Sequence, residues 1–239
     1  LLSENRPEWC ISYLAVAAAG LVIVPLDVSL DDEGVGRNLR AAGCRALLTS
    51  ERQCKRHPSL ERDGGAEALG LRLVVDFDLP EEKVVPRFEP FSAALKLGSG
   101  LAGSDLPGAP CLPRSGEIGP EAPAVVFFTS GTTGIAKGIV LSHRAVIANV
   151  NAARMSLIVD ESDVFVALLP LHHTYATTCS FLASVEAGSS VVIVDRFAPT
   201  AVLRMLGEGG VTFLIGVPLL FDKLEAGIEA KIRAAPSPA

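Results

Sequence analysis

The sequence predicts an α/β fold of mostly parallel sheets with flanking helices, and three observations carry that expectation. Short apolar runs recur along the 239 residues, and helical stretches alternate with them at short intervals. Runs such as Val125–Phe128 and the SVVIVD segment at 190–195 show no polar alternation, as strands covered on both faces require. Hydrophobic residues make up 49% of the chain and mean hydropathy is +0.39, enough for a substantial core or for surface that another partner covers.

Residues 1–54 read as a first α/β segment. Asn5 stands where a helix cap belongs, with Pro7 and Glu8 in the first turn and Trp9, Tyr13, Leu14 and Ala17 following, until Gly20 ends the helix. A strand is expected over 21–25. A helix over 31–42 has an acidic start, a basic finish and Gly43 beyond its end, and Ala46–Thr49 makes another short strand. Residues 55–123 read as a variable connection. LRLVVD at 71–76 is a strand, a short helix lies near 91–97, and the prolines, glycines and mixed charge from 79 to 123 predict a long surface path. The arginines and His57 between Glu51 and Arg62 read as a solvated helical face.

Residues 124–239 resume the alternation. Val125–Phe128 is a buried strand that opens into a loop, and Ser142 caps a helix over 143–155. DVFVALL at 163–169 is a strand that Pro170 ends, followed by LPLHHTY. A helix over 178–186 stops at Gly188, and 190–195 is a strand. A helix over 199–208, a strand over 211–215 and a helix from Pro218 complete the chain.

Bulk properties exclude several classes of partner. A net charge of -6, an isoelectric point near 5.3 and no block of Lys or Arg argue against nucleic acid and against an anionic membrane surface. Five scattered cysteines, at 10, 44, 54, 111 and 179, have neither a CxxC nor a zinc spacing, so a reducing compartment, the cytoplasm, is the simplest expectation. The uncharged run 10–26 falls short of the ~20 apolar residues of a membrane span and contains Gly20 and Pro25, so no transmembrane segment is expected. The chain opens on Leu1-Leu2 without an initiator Met or a signal peptide, which reads as a piece of something longer.

The chemistry concentrates in VVFFTSGTTGIAKGIVLSH, residues 125–143. Thr129, Ser130, Thr132 and Thr133 supply hydroxyls, while Gly131 and Gly134 free the backbone and remove the Cβ that would keep a ligand away. Lys137 adds a point charge, so the loop suits phosphate. It is no Walker A loop, because only two residues separate the glycines and Lys137 is followed by Gly138. His172 and His173 follow a strand end, where α/β sheets place ligand crevices. No acid or cysteine stands near them at metal-ligand spacing, and there is no G-x-S-x-G elbow, so neither zinc nor a serine hydrolase triad is expected. On the residues alone, a histidine hydrogen-bonded into the core stays open as the common outcome.

The TSGTTGIAKG segment resembles the phosphate loop of the adenylate-forming superfamily of AMP-dependent synthetases and ligases, with Ala136 where proline is usual. ENRPEW, AGLVIVPLD and ALLTS resemble the superfamily's early segment. LPLHHTY resembles its Pro-Leu-x-His segment, in the form closest to bacterial long-chain acyl-CoA synthetases. Thr212 and Gly216-Val217-Pro218 match positions further on. The resemblance implies a partial N-terminal adenylation domain, with the C-terminal domain, the adenine and ribose motifs and the hinge outside this sequence. It implies that a carboxylic acid, a fatty acid in the closest form, attacks ATP with Mg²⁺ present, and that coenzyme A then takes the acyl group. Thr129, Ser130, Gly131, Thr132, Thr133, Gly134 and Lys137 would hold phosphate, Lys137 and His173 would act in catalysis, and His173 would face the acid while His172 fills a variable place. A carrier protein as acceptor, and a non-catalytic nucleotide- or partner-binding remnant, are the alternatives.

Overall fold

The computed structural model describes residues 1–62, 64–83, 85, 87–101, 117–129, 136–195, 199–208 and 210–234. The chain divides into two compact units, Leu1–Ile147 and Ala148–Ala239.

In the first unit, helix α1 (Pro7–Ala18) begins with Pro7 at its first position, where the missing N–H costs nothing. Arg6, not Asn5, holds the cap position, and it makes no side-chain capping bond. Arg6 instead pairs with Glu8 and, through two bonds of 2.9 Å, with Asp78. Gly20 takes the positive φ of 69° that turns the chain after the helix. The strand expected over 21–25 shrinks to a single bridge at Ile23, whose N–H and carbonyl bond to Ala124 and Val126. Pro25, which has no N–H to give, stops the pairing from extending. Helix α2 (Asp32–Ala41) is capped by the Asp31 carboxylate, which accepts from the Gly34 N–H at 2.8 Å.

Strand β1 (Ala46–Thr49) leads into short helices α3 (Glu51–Arg56), α4 (Pro58–Glu61) and α5 (Gly65–Ala68), and then into β2 (Leu73–Asp76). Strand β3 (Phe88–Pro90) runs straight into helix α6 (Phe91–Leu101), so part of the expected surface connection is regular structure. The three strands form a parallel sheet in the order β1-β2-β3. Leu2, Leu26, Val35, Leu39, Leu47 and Val74 are among the side chains of the core beneath it. His57 contradicts the reading of 51–62 as a solvated face: the arginines there are exposed, but the imidazole is 0% exposed at the joint between α3 and α4.

Strand β4 (Pro123–Thr129) pairs antiparallel with β5 (Lys137–Ser142), and the isolated bridge to Ile23 lies against β4. This hairpin departs from the parallel pattern and from the expectation of a strand, a loop and then a helix. Ala124, Val125 and Phe127 are buried, while Val126 and Phe128 pack against the first core. Helix α7 (His143–Leu157) follows β5 directly, and the Ser142 hydroxyl accepts from the Ala145 N–H at 3.3 Å as the expected cap.

In the second unit, β6 (Val164–Ala167) is the central strand of a parallel sheet in the order β7-β6-β8. A π-helical segment (Ala176–Leu182) continues into α8 (Ala183–Ala187), which Gly188 ends with a φ of 75°. Then come β7 (Ser190–Ile193), α9 (Pro199–Glu208), β8 (Phe213–Leu214) and α10 (Pro218–Ala234). Phe165, Val166 and Ala167 are fully buried. Val166 joins a cluster with Val202, Leu220 and Leu224, and Phe165 joins another with Val159 and Ile215, so β6 is covered on both faces as its unbroken apolar run predicts. Phe165 stacks on Phe213 with ring centroids 4.9 Å apart, across the β6–β8 pair.

Candidate functional site

The hairpin brings two of the expected phosphate-binding residues face to face. Thr129 is the last residue of β4 and Lys137 the first of β5, and they are cross-strand partners in the ladder. Both are exposed. Ser130, Gly131, Thr132, Thr133 and Gly134 lie in the connection between them, outside the described residues. Lys137 therefore sits on a strand end whose direction is set by the pairing of β4 with β5, rather than on a loop that precedes a helix.

The electrostatics favour an anion there. Lys137 has no acidic partner among the described residues. No Asp or Glu occurs between Glu121 and Asp160 in the sequence, whereas Lys137, Arg144 and Arg154 do, and Arg144 pairs with Glu121 at the far end of the hairpin. Lys137 is thus left with no local carboxylate to satisfy it. That gap in acidic residues was present in the sequence as a second signal beside the motif. β5 itself was missed because its last residue, Ser142, is also the cap of the next helix, so no loop separates the two, although the β-branched Ile139 and Val140 were a usable clue.

Gly138 explains how closely the two strands approach. A Cβ on it would stand 3.1 Å from Val126 Cγ1 and 3.4 Å from Phe128 Cε1. The residue after Lys137 is therefore small because the aromatic ring across the ladder occupies its side.

The histidines lie in the second unit, beyond the carboxyl end of β6, the position at which parallel sheets present ligand crevices. The strand ends at Ala167, two residues short of the expected Leu169, and beyond it the His173 N–H donates to the Pro170 carbonyl at 3.1 Å, closing a tight turn. His173 is exposed, whereas His172 is buried at 9% exposure. Their rings lie 4.3 Å apart between centroids at an angle of 55°, so the outer imidazole rests against the inner one. An exposed, tethered imidazole at a strand end is placed to donate to a carboxylate, and the buried one forms part of its support.

Among the described residues, no three His, Cys, Asp or Glu side chains gather closely enough to hold a metal ion. The described residues therefore do not fit a metal cage, and the Mg²⁺ that the resemblance implies would come with the phosphates of ATP. No helix among them is long and apolar enough to cross a membrane. Thr212, a matched position, ties β8 to β6: its hydroxyl donates to Asp163 at 2.8 Å and accepts from the Val164 N–H at 2.9 Å.

The family model described as AMP-binding enzyme matches residues 1–238. A 4-coumarate–CoA ligase 3 of Oryza sativa subsp. japonica is 27% identical over 224 residues, covering 91% of this chain and 36% of the relative. A long-chain-fatty-acid–CoA ligase 1 of Cavia porcellus is 29% identical over 184 residues, covering 73% of this chain and 25% of the relative. The crystal structure of ATP-bound MatB from Rhodopseudomonas palustris superposes with a TM-score of 0.68 at 22% identity, over 93% of this chain and 39% of that one. The chain spans only a third or so of these relatives' lengths. On the breadth of the family match, with the α/β fold that accompanies it, this chain belongs to the AMP-binding enzyme family.

Proposed function

We propose that the chain is the leading portion of the adenylation domain of an AMP-forming acid–thiol ligase. Residues 1–54 and 124–239 then carry the shared architecture, and 55–123 the variable connection. In the first step an oxygen of a carboxylate bonds to the α-phosphorus of ATP as the bond to the β-phosphate oxygen breaks, giving an acyl-adenylate and pyrophosphate. In the second, the thiol of coenzyme A attacks the acyl carbon and AMP leaves.

The observation that carries this reading is the hairpin. A connection of hydroxyls and glycines between paired strand ends, with a lysine that has no acidic partner among the described residues, in a stretch of sequence free of carboxylates, is complementary to a polyphosphate. Thr129, Ser130, Gly131, Thr132, Thr133 and Gly134 hold the β- and γ-phosphates, and Lys137 offsets the charge that grows on the departing pyrophosphate. His173 donates to the carboxylate and holds it for attack. A fatty acid is the acid we favour, on the LHHTY form and the likeness to a long-chain-fatty-acid–CoA ligase. A cytoplasmic setting accords with free Cys10, Cys44, Cys54 and Cys179.

The test is ATP–pyrophosphate exchange by the full-length natural chain with long-chain fatty acids, 4-coumarate and amino acids in parallel. Exchange with one acid class is expected, and its absence with every class favours a non-catalytic binding protein. Lys137→Ala is expected to lower the exchange rate by about 100-fold while the KM for the acid moves little, as loss of a donor to developing charge does. An unchanged rate removes Lys137 from its assigned role. Coenzyme A against a carrier protein in the second step identifies the acceptor.

A further inference from the structure

π-Helical turns are rare and gather at functional sites, and one begins three residues after His173. Its second residue, Thr177, is 1% exposed and bonds back onto the histidine turn through both its main chain and its side chain. The Thr177 N–H donates to the His173 carbonyl at 3.0 Å. Its hydroxyl donates to the Leu171 carbonyl and lies 3.1 Å from the His173 carbonyl. Leu171 is itself buried, at 1% exposure. One side chain therefore spans Leu171, His172 and His173 from beneath, gripping the residue before the histidine pair and the second histidine itself. The turn is also closed by the His173 N–H, which donates to the Pro170 carbonyl at 3.1 Å.

We infer that Thr177 is a positioning residue: its buried hydroxyl fixes the backbone from which the His173 imidazole projects, and so sets how the carboxylic acid is held. This rests on the reading of His173 as the group that faces the acid. A valine at 177 matches threonine in shape and removes the hydroxyl that donates to the Leu171 carbonyl. Released from one anchor, the turn holds His173 in a wider range of directions, and the cost falls on the substrate that His173 contacts.

The experiment compares Thr177→Val, Thr177→Ser, His173→Ala and the Thr177→Val/His173→Ala pair in the full-length natural chain, with KM measured separately for the acid and for ATP. Thr177→Val is expected to raise the KM for the acid about 5- to 10-fold, the effect of one buried hydrogen bond, while the KM for ATP stays within about twofold. Thr177→Ser is expected to restore the parent value, and the pair to be no worse for the acid than His173→Ala alone, since the two act as one unit. If Thr177→Val does not accumulate as folded protein, Thr177→Ala carries the same expectation. An acid-specific loss in His173→Ala with no change in Thr177→Val overturns the role of Thr177 alone, as does a multiplicative loss in the pair or an equal loss for acid and ATP. A silent His173→Ala overturns both this inference and the acid-facing role on which it rests.

Discussion

Buried polar side chains show how far individual residues depart from what their neighbours in sequence suggest. His57 stands among Arg52, Lys55, Arg56, Glu61 and Arg62, yet neither of its ring nitrogens has a hydrogen-bond partner among the described residues and the side chain is sealed from solvent. Asp32 lies 3.9 Å from Nδ1, but that carboxylate is engaged by the Ser59 hydroxyl at 2.5 Å. Burial pulls the His57 pKa below its ordinary value, Arg56 adds to the effect, and Asp32 and Asp31 oppose it without cancelling it. The fold thus prefers the neutral ring, while the unfolded chain titrates near the usual value of about 6.5. The sign follows: stability is fully present above that pH and is lost as pH falls through the lower value of the folded state. Urea midpoints measured from pH 7.5 down to 5.5, before most carboxylates titrate, are expected to fall for the parent and to fall less for His57→Leu. Parallel curves for the two would show that His57 does not drive the loss.

Elements were legible where an end signal and a period coincided. Asp31 before an acidic first turn and Gly43 after a basic last one placed α2, and Ala46–Thr49 stood alone between turn residues and emerged as β1. A strand at β6 was written in its apolar run, though its place at the centre of the sheet was not, and the LPLHHTY segment begins beyond it. The strands β3 and β5 were not legible, since each runs directly into a helix that was, and a π-helical turn has no side-chain period that separates it from the α8 helix it enters. The paired hairpin also makes Gly138 a structural residue, which the motif alone did not reveal. Adding a methyl group there pushes against Val126 and the Phe128 ring, which have little room to retreat because both pack on the first core. Gly138→Ala is expected to cost about 1 kcal/mol of stability and to lower pyrophosphate exchange several-fold, because the strained Phe128–Gly138 pair is next to the Thr129–Lys137 pair in the ladder. A thermal melt and an exchange assay on the same preparation check it, and no change in either would mean that the ladder yields without effect.

At the scale of the molecule, the apolar composition is only partly accounted for by the two cores. In the first unit, β5 exposes Ile139 at 47% and Val140 at 58%. In the second, α10 exposes Leu219, Phe221, Ile228 and Ile232. Isolated exposed hydrophobes are ordinary, but a β-branched pair on a strand and the α10 face that holds Phe221, Ile228 and Ile232 are surfaces that proteins generally cover. Together with a span of about a third of the relatives' lengths, they lead us to expect that residues 1–239 need further chain to be well behaved. Expressed alone, the 239-residue chain is expected to bind a hydrophobic dye, to self-associate in light scattering as concentration rises, and to give no pyrophosphate exchange. The full-length natural chain is expected to lose the dye signal and gain the exchange. A 239-residue chain that stays monomeric, leaves the dye dark and exchanges pyrophosphate would show that these faces need no cover and that the activity is complete within it.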